Sequence, residues 1–393
     1  MKLFHKLLVA PAAIGLLAPL SVSAGEVDIK SIGNYIITEE EEELFDSSTF
    51  NNDLATLGNT PLSEIKSPFY DAEAGSFSET TVMSGSATFA VAGAEGEPSY
   101  SDPEALVFNY FFDIDLDTSF TGDDNLNIGL EAGNTASGTI LSGSFLDFGT
   151  GAGDTLSVVD VNYTRSIGDL TLAVGDSYKI SKQYDGACAY SGFTTTLSDC
   201  GTGASSGIGG NVTVAGNYDL GNGFTFGAGL STTDGDSSKG MFTKESDDLY
   251  GAQLTYTNDT YGAAVSYANY DYDASGGEAD TTFWGVNGYY TLGSVIDSIS
   301  VGYETGNPDD GSKETSMWFA GISTQPIGPG TLNVGIGTST HTDADTEDLL
   351  IYEANYAWDI NDSISSTAGV FTQERTTGAS DITGVAFTTT FSF

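Results

Sequence analysis

Basic residues are scarce in this 393-residue chain, which has 11 Lys plus Arg against 55 Asp plus Glu and a formal net charge of −44. A nucleic-acid-binding protein needs a basic surface that displaces counterions from phosphates, so this composition excludes nucleic acid as a partner. Long apolar runs are also missing: after the amino-terminal region the sequence contains no stretch of 18 consecutive apolar residues. A membrane-spanning helix needs about 20 such residues, and none is therefore expected.

Groups that perform chemistry are equally few. Beyond the amino-terminal region the chain has one histidine, His341, and two cysteines, Cys188 and Cys200. No serine is placed credibly beside His341, and the sequence has no His/Cys metal cluster, phosphate-binding Gly-Lys motif or dinucleotide fingerprint. We therefore expect no enzyme, no catalytic residue, no metal site and no cofactor.

The amino terminus has the features of an export signal. Lys2 and Lys6 precede an apolar run over 7–20, and the small residues Val22 and Ala24 predict cleavage before Gly25. The alternative, a membrane anchor, is disfavoured because about 14 apolar residues cannot span the hydrocarbon core. Residues 1–24 are predicted to be a signal peptide. Residues 25–75, which include the acidic run 39–43, are predicted to be a solvated periplasmic segment.

From residue 76 onward, apolar residues recur at every second position, which places them on one face of a strand. The clearest example is 105–119, where Leu106, Phe108 and Tyr110 alternate with Val107 and Asn109. Similar segments predict sixteen strands, most of them long enough to cross a membrane when tilted. They lie near 82–92, 105–119, 125–133, 156–165, 170–178, 209–218, 224–231, 248–256, 261–269, 281–290, 297–304, 316–324, 331–338, 348–357, 363–371 and 382–393.

The connections between these segments alternate in length. Tight turns rich in Gly, Asn and Asp follow the even-numbered strands, and longer stretches such as 134–154 and 179–208 follow odd-numbered ones. This alternation predicts an all-β transmembrane antiparallel β-barrel over 76–393, with about 16 strands, short periplasmic turns and long extracellular loops. A closed sheet pairs every backbone group in lipid, so the predicted location is the cell outer membrane, with its lipid as a partner.

Several short segments resemble the cyanobacterial major outer-membrane porins, relatives of the carbohydrate-selective porin family. They are 7–13 (LLVAPAA), 77–85 (FSETTVMSG), 108–110 (FNY), 115–122 (DLDTSFTG), 130–134 (LEAGN), 240–243 (GMFT) and 261–264 (YGAA). The resemblance implies passive transport of small hydrophilic solutes and ions, with iron or sugar uptake in some members. Longer members carry a surface-layer-homology domain between the signal and the barrel. Here only 25–75 occupies that place, so wall anchoring is not carried over.

Acidic residues on the row predicted to face inward are the main functional feature. They are Asp113, Asp115, Asp117, Glu131, Asp160, Glu304 and Glu353. A water-filled passage lined by carboxylates favours cations because their potentials add across the lumen. We therefore predict a pore with a mild cation preference. The alternative is that these acids only keep the lumen wet while other groups set the selectivity.

The loop predicted over 179–208 contains both cysteines. In an exported protein, Cys188 and Cys200 are expected to form a disulfide. One hypothesis places this loop inside the pore as its constriction, lined by Lys182, Asp185 and Asp199. The alternative is an exposed, disulfide-closed loop on the outer rim.

Two other classes of protein are compatible with the pattern. One is a structural or adhesive barrel in which residues 25–75 plug the lumen, and the other is a soluble, acidic, secreted β-protein. Single-channel conductance distinguishes the first from a porin, and membrane fractionation distinguishes the second. Porin architecture also implies a possible homotrimer.

Overall fold

A computed structural model describes residues 80–96, 105–135, 146, 153–272, 280–343, 348–376 and 379–393. The predicted signal peptide (1–24), the acidic segment (25–75) and residues 76–79 lie outside these ranges. The described residues form almost entirely β-structure. The strands are β1 (Thr81–Glu95), β2 (Val107–Thr118), β3 (Asp124–Gly133), β4 (Ser157–Ile167), β5 (Leu170–Asp176), β6 (Val212–Gly221), β7 (Phe224–Thr232), β8 (Asp248–Thr257), β9 (Tyr261–Asp271), β10 (Thr281–Thr291), β11 (Ile296–Pro308), β12 (Thr315–Thr324), β13 (Gly330–Thr338), β14 (Thr342–Asp343), β15 (Leu350–Asn361), β16 (Ile364–Gln373) and β17 (Ile382–Ser392).

The sheet closes on itself. Each long strand pairs antiparallel with its neighbours, and β1 pairs with both β2 and β17. Sixteen strands build the cylinder, while the two-residue β14 pairs with β12 beyond the end of β13. This closure confirms the predicted sixteen-stranded antiparallel barrel. All sixteen predicted segments overlap a strand of the cylinder.

Alternation along each strand separates an apolar exterior from a polar interior. On β11, Val301 points outward and is 52% exposed, whereas the adjacent Ser300 points inward and is 1% exposed. The same outward row continues around the barrel with large residues such as Val286, Tyr303 and Val334. Closure satisfies the backbone groups that lipid cannot, and the apolar exterior suits contact with acyl chains. The barrel is therefore an outer-membrane protein.

Among the described residues, no helix has both the length and the apolar character needed to cross a membrane.

The two rims differ as the sequence predicts. Short turns join β2 to β3, β4 to β5 and β6 to β7, and longer connections join β3 to β4 and β5 to β6. The β6–β7 turn needs positive φ at Asn222 (55°) and Gly223 (85°), which these residue types adopt at low cost. The carboxy terminus ends on the short-turn rim, where Phe393 exchanges two backbone hydrogen bonds with Gly85.

Arginine substitutions on the outward face test which part of the barrel lies in the hydrocarbon core of the membrane. Val301 lies near the middle of β11, and Val295, which is 78% exposed, lies in the turn before it. We expect V301R to lower the free energy of unfolding in lipid vesicles by about 2–4 kcal/mol, and V295R by about 0–1 kcal/mol, because the cost depends on depth. Denaturant titrations followed by tryptophan fluorescence measure both. Equal costs at the two positions would contradict the assigned membrane span.

Candidate pore constriction

The connection between β5 and β6, residues 177–211, turns into the barrel, and we call it the inner loop. It contains a short 3₁₀ helix (Ile180–Gln183) and two four-residue helices, α1 (Thr195–Ser198) and α2 (Gly203–Ser206). Inward side chains of the wall bind its backbone. Asn217 on β6 donates to the Gln183 carbonyl at 2.9 Å, and Asn355 on β15 donates to the Ser191 carbonyl at 3.0 Å.

Two further hydrogen bonds, at residues between Gln183 and Ser191, keep the inner loop against the wall. Thr255 on β8 donates to the carbonyl of Asp185 at 2.8 Å, and the Ala189 N–H donates to Ser300 on β11 at 3.0 Å. The inner loop therefore follows the inside of the barrel from β6 to β15. It lies inside the barrel, as the constriction hypothesis expects, instead of on the outer rim.

A disulfide joins Cys188 to Cys200 within the inner loop, with a Cα–Cα distance of 6.3 Å. Cys200 is fully buried, together with Leu197 and Phe319. The cross-link closes the segment that contains α1, and that segment packs on the barrel wall. Leu197 and Cys200 belong to one apolar cluster with Phe319 of β12, so apolar contacts as well as hydrogen bonds hold this segment against the wall.

Glycines of the wall allow the inner loop to lie this close. A Cβ atom at any of ten inward positions would meet an atom of the inner loop: Gly175, Gly227, Gly229, Gly251, Gly285, Gly302, Gly321, Gly335, Gly337 and Gly369. We call this set the glycine face. At Gly302 the carbonyl oxygen of Cys200 occupies the space that a side chain would need. The missing side chains thus provide the volume that the inner loop fills.

Glu353 on β15 is 3% exposed and binds the inner loop. Its Oε1 accepts from the Tyr190 hydroxyl at 2.6 Å and the Phe193 N–H at 2.7 Å. Its Oε2 accepts from the N–H and the hydroxyl of Thr194, at 2.7 and 2.5 Å. Burial, with the nearby Glu353 carboxylate, raises the pKa of Tyr190, so its hydroxyl keeps the proton that it donates.

Glu304 on β11 is fully buried and makes a second contact of the same kind. It accepts from the Ala204 N–H at 3.2 Å, from the Ser205 N–H at 2.6 Å and from the Ser205 hydroxyl. His341 Nε2 lies 3.0 Å from Glu304 Oε1. Among the predicted pore-lining acids, Glu304 and Glu353 are thus wrong as lining residues. The inner loop covers both carboxylates, so neither side chain is exposed in the lumen.

The other five predicted acids form what we call the acidic wall: Asp113, Asp115 and Asp117 on β2, Glu131 on β3 and Asp160 on β4. All five share the inward row, and their side chains are partly exposed. Asparagines hold several of the carboxylates in place. Asn127 donates to Asp115 at 2.9 Å and to Asp117 at 3.0 Å, and Asn162 donates to Asp160 at 2.9 Å.

The three predicted constriction residues lie on the inner loop with exposed side chains. Lys182 lies within range of an electrostatic interaction with the carboxylates of Asp113 and Asp160. The Asp185 carboxylate lies 3.4 Å from the Asn217 amide on β6. Asp199 follows α1 and is also exposed. The structure thus places Lys182 within electrostatic range of two wall acids, and Asp185 and Asp199 elsewhere along the inner loop.

Sequence reasoning missed two groups of residues. One group is the asparagines of the acidic wall, such as Asn127 and Asn162. They alternate with apolar residues as the acids do, so the same pattern places them on the inward row. The glycine face also has a signal in the sequence. Gly227 on β7, Gly251 on β8 and Gly302 on β11 all fall on inward positions of their strands. A strand row depleted in side-chain volume indicates that another segment packs on it.

Solved structures with a similar fold are outer-membrane barrels. A loop-L8 deletion mutant of OmpT, an outer membrane protein of Vibrio cholerae, is 12% identical, with a TM-score of 0.55 over 80% of this chain and 99% of that chain. A porin variant of Rh. blastica is also 12% identical, with a TM-score of 0.50 over 80% of this chain and 100% of that chain. No protein-family model and no curated protein matches the chain. At 12% identity these two matches show that the chain shares the barrel fold of outer-membrane proteins, a bacterial porin among them.

Proposed function

We propose that the protein is an outer-membrane porin whose water-filled, acidic-walled channel lets small hydrophilic solutes and inorganic ions diffuse passively. The observation that supports this most is the division of the lumen into two sides. The inner loop packs on the glycine face, and the acidic wall on β2–β4 keeps partly exposed carboxylates. Such a passage needs no bond-making step, and the proposal assigns the chain no enzymatic activity, metal or cofactor.

The proposed selectivity is a mild preference for cations. Asp113, Asp115 and Asp160 add a negative potential along one side of the passage, and that potential concentrates cations. Lys182 carries the opposite charge and interacts with Asp113 and Asp160, so it offsets part of this potential. The proposed constriction lies between the inner loop, with Lys182, Asp185 and Asp199, and the acidic wall.

Reversal potentials under a KCl gradient test the proposed selectivity. The purified full-length barrel is inserted into a planar bilayer, and the zero-current voltage is measured at neutral pH. We expect the sign that corresponds to potassium permeating faster than chloride. Raising the salt concentration on both sides should weaken the preference, because screening shortens the reach of the wall charges. A preference for chloride would contradict the proposal.

The proposal extends to processing and assembly. Removal of 1–24 would leave 25–75 as an acidic periplasmic segment that precedes, in sequence, a barrel beginning near residue 76, and lipid would surround the barrel's exterior. A homotrimer and a cyanobacterial, carbohydrate-selective ancestry are proposals that rest on the resemblance of the short motifs. Mass spectrometry of the mature protein tests the predicted amino terminus at Gly25, and crosslinking in detergent tests the trimer.

A further inference from the structure

Two buried carboxylates of the wall bind the inner loop in the same way. Glu353 accepts two backbone N–H groups and the hydroxyl of Thr194, in addition to the Tyr190 hydroxyl. Glu304 accepts two backbone N–H groups and the hydroxyl of Ser205. The backbone donors to Glu353, Phe193 and Thr194, directly precede α1, and the donors to Glu304, Ala204 and Ser205, lie in α2. The repeated arrangement indicates a shared role.

The two carboxylates hold different sections of the inner loop. The partners of Glu353 (Tyr190, Phe193 and Thr194) lie between Cys188 and Cys200, inside the segment that the disulfide closes. The partners of Glu304 lie beyond Cys200, outside that segment. The disulfide therefore constrains the first section without help from Glu304, whereas the second section has no cross-link of its own.

We infer that Glu304 and Glu353 are positioning residues of the channel: each anchors one section of the inner loop to the wall and thereby keeps that section out of the passage. The inference rests on the proposed porin function. Neither carboxylate touches the permeating solute, since both are buried beneath the inner loop. Their effect reaches the solute only through the position of the loop, which faces the acidic wall.

The chemistry explains why a carboxylate is needed at these positions. Both oxygens of Glu353 accept hydrogen bonds, so the side chain satisfies four donors at once. Glutamine has nearly the same shape, but its amide NH₂ would face donors instead of accepting from them. One half of the contact is then lost, and buried donors of the loop remain unpaired, which favours a displaced loop.

Single-channel recordings of E353Q and E304Q test the inference. We expect brief closures of the open channel to become about tenfold more frequent than in the wild type, the change in an equilibrium constant that corresponds to about 1.4 kcal/mol. The control is D169N, which removes one negative charge from the exposed β4–β5 turn, outside the acidic wall and the inner loop. D169N should leave the closure frequency unchanged. E353Q and E304Q that conduct with wild-type closure frequencies would overturn the inference.

The disulfide provides a second, independent comparison. With Cys188 and Cys200 both replaced by serine, E353Q should increase closures more than it does with the disulfide intact, because two constraints on one section are then lost. The effect of E304Q should be the same with and without the disulfide. If loss of the disulfide increased the closure frequency of E353Q and E304Q by the same factor, the assignment of the two carboxylates to separate sections of the inner loop would be contradicted.

Two loop-side variants cover the case in which a wall variant does not fold. T194V and S205A each remove one hydroxyl donor and leave Glu353 and Glu304 intact, so they should raise the closure frequency by a smaller factor. Folded barrels are identified by β-type circular dichroism and heat-modifiable mobility before recording. A wild-type protein that conducts no current would contradict the porin proposal itself. Failure of the positioning inference would instead appear as a conducting wild type with unchanged variants.

Discussion

Replacing Asp113, Asp115 and Asp160 together with asparagine should lower the ratio of potassium to chloride permeability. The expected fall is about sevenfold for each kT of lumen potential removed, because the local potassium concentration falls and the chloride concentration rises; a cleft lined by one sign of charge reaches several kT. Asparagine keeps an oxygen that accepts the hydrogen bonds of Asn127 and Asn162, so the wall should keep its shape while it loses charge. Reversal potentials of the triple variant under a KCl gradient measure the change.

The matched control for the triple variant is D169N in the β4–β5 turn. Asp169 is exposed on the rim and lies outside the β2–β4 wall, so its loss removes a carboxylate without changing the lumen. Because exposed charges are screened within about 10 Å at moderate salt, D169N should leave the permeability ratio close to that of the wild type. If the triple variant keeps the wild-type ratio, the acids only keep the lumen wet and selectivity is set elsewhere.

The second large effect is expected from alanine at Gly302. The new Cβ would occupy the place of the Cys200 carbonyl oxygen, so the inner loop must move away from β11 and into the passage. We expect a lower single-channel conductance, together with a loss of about 1–3 kcal/mol in the free energy of unfolding, as is typical of overpacking. Conductance in planar bilayers and denaturant titrations measure the two effects.

Gly129→Ala is the matched control for Gly302→Ala. Gly129 also lies on an inward row, but a Cβ there would only make ordinary contacts of 3.4 Å with Asp160 and Val159 on β4. The same chemical change should therefore leave the conductance near the wild-type value. Equal losses in the two variants would show that the inner loop does not depend on the space at Gly302.

The barrel itself could be predicted from the sequence because lipid imposes a simple rule on every strand. Outward positions such as Val286, Val301 and Val334 must be apolar, and inward positions are free to be polar, so the period of two survives in each segment. Turn residues such as Asn222 and Gly223 then mark where strands end. These signals are local, and each of the sixteen segments carries its own.

The position of the inner loop depends on contacts between distant parts of the chain, and local periodicity does not contain them. Glu304 and Glu353 alternate with apolar residues in the same way as Asp113, so the pattern places all three on the inward row. What distinguishes Asp113 from Glu304 and Glu353 is the set of groups that surround each carboxylate in the folded barrel. Asp113 remains partly exposed, whereas the backbone of the inner loop covers Glu304 and Glu353. The disulfide was predictable from composition because the chain has only two cysteines.

Single-channel current through the full chain in a planar bilayer tests the central claim most directly. An open passage between the inner loop and the acidic wall predicts discrete, long-lived current steps whose size rises with salt concentration. The complete absence of steps from correctly folded, membrane-inserted barrels would contradict it, because a lumen closed along its length carries no ions.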